Sequence, residues 1–88
     1  MPGVAIELRK KIVAFVHEVR TLDLKKQPSV SETIDWARVL LLLHASSLST
    51  EVVRDTLNVL LKYEVDMETV NPLVSELIDK AERAFVPG

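Results

Sequence analysis

The side chains that could carry chemistry on their own are few in this sequence. His17 and His44 are its two imidazoles. They fall on different predicted helices and lack the H-E-x-x-H spacing that sets two metal ligands on one helix face. Cysteine is absent, which removes disulfides, thiolate metal sites and a thiol nucleophile together. The serines include no G-x-S-x-G setting, and Ser46, Ser47, Ser49 and Thr50 read as loop and cap residues. Asp66 with Glu68, or Glu32 with Asp35, could be taken as paired carboxylates, but acidic residues near helix starts are expected from the helix dipole alone. The only glycines are Gly3 and Gly88. Neither G-x-x-x-x-G-K-[ST] nor G-x-G-x-x-G can therefore form, and both need glycine for backbone amides to approach a phosphate. Catalysis by this chain alone is not expected.

The elements that would position these residues are helical. Ile6 (or Leu8), Ile12, Phe15, Val16, Val19 and Leu22 recur at three and four residues, predicting a first helix over residues 4–22. Pro28 disfavours helical geometry at Gln27, so the chain turns over residues 23–28. Ser29 and Glu32 then have the spacing of a capping box, with Ser31 as a competing cap, and open a second helix to about Ala45. Ser49 or Thr50 caps a third helix, whose stripe is Val53, Leu57, Leu60 and Leu61. Residues 64–69 fit no single pattern. Asn71 followed by Pro72 reads as a cap and first helical residue, opening a fourth helix over 71–85 with the stripe Leu73 (with Val74), Leu77, Ile78, Ala81 and Phe85.

The expected fold is all-α, a compact bundle of about four helices in one domain spanning residues 1–88. At 88 residues with 48% apolar and 27% charged side chains, the composition is that of an ordinary globular chain. The longest apolar run, Val39 to Leu43, is far short of a membrane span, and no export signal opens the chain, so a cytoplasmic location and no membrane partner are expected. The net charge is −2. Residues 1–29 hold the basic excess, in Arg9, Lys10, Lys11, Arg20, Lys25 and Lys26, whereas the remainder is acidic. That balance argues against a nucleic-acid partner, including a helix-turn-helix DNA binder built on Lys10, Lys11, Lys25 and Lys26.

The second helix is the unusual one. Ile34, Trp36, Ala37, Val39 and Leu40 to Leu43 cover nearly its whole circumference, leaving a polar arc of Glu32, Asp35 and Arg38. Two readings follow: a central helix wrapped by the others, or a docking face centred on Trp36 and Leu42. Asp35 and Arg38 are three apart and can pair, or Asp35 can orient Arg38 toward a phosphate or a partner carboxylate.

The string from Arg20 to Leu40, R-T-L-D-L-K-K-Q-P-S-V-S-E-T-I-D-W-A-R-V-L, resembles the C-terminal segment of MoxR-like ATPases of the AAA+ superfamily. The string D-T-L-N-V-L-L-K-Y-E-V-D, from Asp55 to Asp66, resembles it as well. With the residues between them, the similarity spans roughly half of the 88 residues. The resemblance implies a helical lid that follows a nucleotide-binding domain, closes over ATP and contacts a neighbouring subunit of a ring. The phosphate loop, the acidic magnesium motif and the arginine finger would then lie upstream of residue 1. ATP and Mg would belong to that parent protein, and the fragment itself would not be an enzyme. The resemblance further implies chaperone-like remodelling, with partners that carry von Willebrand factor A domains. The lid's nucleotide-sensing arginine would fall near Ser31 or Glu32, which are not arginines, and Arg38 is the nearest substitute. Ser29, Glu32, Asp35, Trp36 and Arg38 are accordingly the candidate nucleotide-facing or interdomain residues. The alternative is a free-standing helical adaptor that binds a partner helix in a groove.

Overall fold

The computed structural model describes residues 2–43 and 48–85. Its elements are α1 (Pro2–Val19), α2 (Val30–Leu42), α3 (Thr50–Leu60), α4 (Glu64–Val70), a 3-10 turn (Asn71–Leu73) and α5 (Val74–Phe85). Among the described residues there is no strand, and the fold is an all-α bundle. α4, the 3-10 turn and α5 run on as unbroken helical backbone, so the described residues form four helical stretches. α1 packs chiefly on α5, and α2 chiefly on α3.

The segment left unassigned by its pattern, residues 64–69, is therefore helical. Asn71 does not cap a new helix: its backbone is already right-handed helical, at φ −51° and ψ −49°. Pro72 is accommodated because the 3-10 turn tightens the backbone where the proline's missing amide would break an α-helical ladder. α1 ends at Val19 instead of Leu22, with Thr21 and Leu22 held by turn hydrogen bonds to Glu18 and Val19. α2 stops at Leu42, with Leu43 as its C-cap. The expected extension to Ala45, together with His44, Ser46 and Ser47, lies outside the described residues.

The core gathers Leu8, Ile12, Phe15, Val16 and Val19 from α1, Trp36 and Leu40 from α2, and Val53, Leu57 and Leu60 from α3. Val70, Val74, Leu77, Ile78 and Ala81 complete it from the last stretch. Of the two α1 alternatives, Leu8 enters the core, whereas Ile6 is half exposed. Trp36 sits at the centre with no exposed surface. Its ring lies 5.4 Å from that of Phe15, and its indole Nε1 donates to Thr56 Oγ1 at 2.7 Å. The Thr56 hydroxyl in turn donates to the Val52 carbonyl one turn back, also at 2.7 Å. The one polar atom of the tryptophan is thus satisfied inside the core, as a buried donor must be.

Trp36→Ala is expected to cost about 3–5 kcal/mol, enough to remove most of the stability of a domain this small. Thr56→Val, which preserves volume but orphans the indole N–H, should cost about 1–3 kcal/mol. Leu42→Ser should stay within about 0.5 kcal/mol. Thermal unfolding followed by circular dichroism measures all three.

Candidate docking surface

The five candidate site residues do not converge on one spot. Ser29 and Glu32 form the capping box their spacing predicts. Glu32 N donates to Ser29 Oγ at 3.2 Å, and Ser29 N donates to Glu32 Oε1 at 2.9 Å. Trp36 is in the core. Asp35 and Arg38 are both exposed, and no ion pair joins them among the described residues. The docking face imagined around Trp36 and Leu42 accordingly splits. Trp36 is wholly buried, whereas Leu42 is 78% exposed, because six residues along a helix separate the two by well over a right angle.

Glu32 is one of two buried carboxylates among the described residues. Lys26 Nζ lies 3.6 Å from its Oε1 and Lys62 Nζ 3.6 Å from its Oε2. Oε2 accepts no hydrogen bond, so Lys62 holds it by charge alone. The Ser29 amide, foremost, and then the Ser29 hydroxyl and the two lysines hold its pKa below the usual value of 4.5, against the opposing effect of burial.

Asp66 is the second buried carboxylate. It lies in the first turn of α4 yet reaches across to the loop after α1, accepting Lys25 N at 2.7 Å on Oδ1 and Lys26 N at 3.1 Å on Oδ2. Three further contacts tie the same loop. Arg20 donates to the Pro28 carbonyl at 2.8 Å, Gln27 donates to the Leu22 carbonyl at 2.8 Å, and the Lys25 ammonium sits 4.7 Å from the centre of the Tyr63 ring. Among the described residues, no group of three or more His, Asp or Glu side chains could hold a metal ion.

What remains open is apolar. Val30, Ile34, Ala37 and Leu41 repeat at three and four residues along a side of α2 about a quarter-turn or more from Trp36 and Leu40. They face Arg9, Val13 and His17 of α1 across a shallow groove. Ile6, Val13, Val30, Ile34 and Leu41 are all at least 47% exposed. Arg9, His17 and Arg20 stand along the groove, and no acidic side chain lines the part between the two helices. At the end of α2, Leu41, Leu42 and Leu43 continue the apolar surface. The sequence signal for this face was the excess of apolar residues around α2. Its α1 half, Val13, was masked by the stronger buried stripe on the same helix.

Because Glu32 has a lower pKa folded than unfolded, the unfolded chain binds the extra proton first. Its stabilisation is full above about pH 4.5 and is lost as pH falls through the lowered folded value. Urea unfolding between pH 7 and about pH 3 should show this loss. Glu32→Gln should be less stable at pH 7 and have a shallower acid limb. Set against protein-family models, curated proteins and solved structures, the chain matches none of them.

Proposed function

We propose that this chain is the helical lid of a MoxR-like AAA+ ATPase, a module that packs on a nucleotide-binding domain and on a neighbouring subunit of a ring. One observation carries the reading: the two strings that resemble the family interlock. Trp36 bonds to Thr56, Glu32 faces Lys62, Asp66 grips Lys25 and Lys26, and Lys25 covers Tyr63. Each of these contacts joins residues 20–40 to residues 55–66, so the two similar stretches behave as one structural unit.

The outward surface supports the same reading. Leu41, Leu42 and Leu43 form an apolar end to α2, with Asp35 and Arg38 exposed beside it. An exposed apolar patch with a polar margin is the kind of surface that packs on another domain. Among the described residues no cluster of three or more His, Asp or Glu side chains could hold a metal ion. Interior glycines are absent, and both buried carboxylates are already engaged. ATP and Mg are therefore assigned to the ATPase domain, and this module contributes closure and contact, with Arg38 as the candidate side chain facing the nucleotide or the adjoining domain. The runner-up, a free-standing adaptor acting in a cytoplasmic complex, draws on the α1/α2 groove.

The test has two parts. A reading frame that continues upstream of Met1 into phosphate-loop and acidic magnesium motifs is expected, and a gene without them refutes the lid. The encoded ATPase domain, mixed with this chain, should associate with it, and Leu42→Asp should weaken that association at least about tenfold while leaving the fold intact. Failure of the wild-type chain to associate would overturn the proposal. Trp36 is unsuitable for this purpose, since its substitution would report unfolding.

A further inference from the structure

The α1/α2 groove has a shape and a charge that select its occupant. Two helices side by side leave a concave channel, and from Arg9 to Arg20 it runs along about 17 Å of α1 and the turn that ends it, three helical turns. The floor is apolar, from Val13, Ile34 and Ala37, the charged side chains along it are Arg9 and Arg20, and His17 stands between them. Arg20 uses one of its nitrogens on the Pro28 carbonyl, and a guanidinium has further N–H donors to offer.

We propose that this groove receives an amphipathic helix of a partner protein. The helix would be apolar at i, i+4, i+7 and i+11, with carboxylates on the flank that meets Arg9 and Arg20. Helix-in-groove docking reads apolar anchors at this spacing, and the basic margin fixes the partner as acidic through electrostatic complementarity. A second copy of this chain fits poorly. A two-fold dimer would bring the same patch of each copy together and set the cations of one against those of the other. A lipid surface also fits poorly, because interfacial helices present a convex apolar face, and the rest of the chain is acidic. The inference goes beyond the lid reading and does not need it, since the groove lies on the α1 side of α2 and the Leu42 end is a separate contact.

The test is a titration of the isotope-labelled chain with two synthetic helices that share leucines at i, i+4, i+7 and i+11. One is flanked by glutamates and the other by lysines. The glutamate peptide should shift the amides of Val13, Ile34 and Ala37 and bind at least about tenfold more tightly than the lysine peptide. Arg9→Glu should erase or invert that preference, and Val13→Asp should abolish binding while the rest of the spectrum stays that of the folded chain. Several results would each overturn the proposal. These are no binding of the glutamate peptide, equal binding of both, shifts mapping elsewhere, and the groove being occupied by phosphatidylserine vesicles or by a second copy of the chain in place of the peptide. None of them depends on Leu42, so this test and the ATPase-domain test fail separately.

Discussion

The fold hangs on the burial of Trp36. One side chain from α2 fills the space between α1, where it meets Phe15, and α3, where its indole bonds to Thr56. Full burial of a ring this size removes on the order of 200 Å² from water, about 5 kcal/mol at the usual area coefficient. That is comparable to the whole net stability of a small domain. The hydrogen bond to Thr56 decides its orientation: a ring rotated away from α3 would strand its N–H in an apolar core. With Trp36 set, the rotation of α2 is set too. Leu40 must point inward one turn later, and Val30, Ile34 and Leu41 must point outward.

Polar interactions then fix how the chain reaches α2. The loop after α1 is short of regular backbone bonding, and two buried carboxylates supply what it lacks. Glu32 closes the helix start from within, and Asp66 receives two loop amides from a helix about forty residues away. A buried carboxylate is tolerable only when its charge is met. Glu32 is met by an amide and two lysines, and Asp66 by two amides. These two carboxylates hold the chain's own loop and helix start.

The functional consequence is that α2 has two apolar sides and the bundle covers one of them. The covered side carries the tryptophan. The other makes a groove with α1 and ends in three exposed leucines. A lid and an adaptor would both use such a helix, since each needs one face to fold against and another to dock with.

The sequence by itself determined the helical class, the capping box of Ser29 and Glu32, a cap at Ser49 or Thr50, and the stripe Val53, Leu57, Leu60 and Leu61. All of these rest on spacings of three and four residues within one helix, where local geometry is enough. It also showed that α2 carried more apolar surface than a single face could use. Only the tertiary structure decided which side of α2 is inside, because a helix that is apolar nearly all round has no periodic signal to orient it. The partners of Thr56, Lys62 and Asp66 were hidden for a related reason: they lie 20 to 41 residues from what they touch. The helical run through Asn71 and Pro72 overrode a local start signal, because α4 and α5 supply core residues on both sides of it. Burial is a property of pairs of elements, and no residue's own neighbours in the chain can report it.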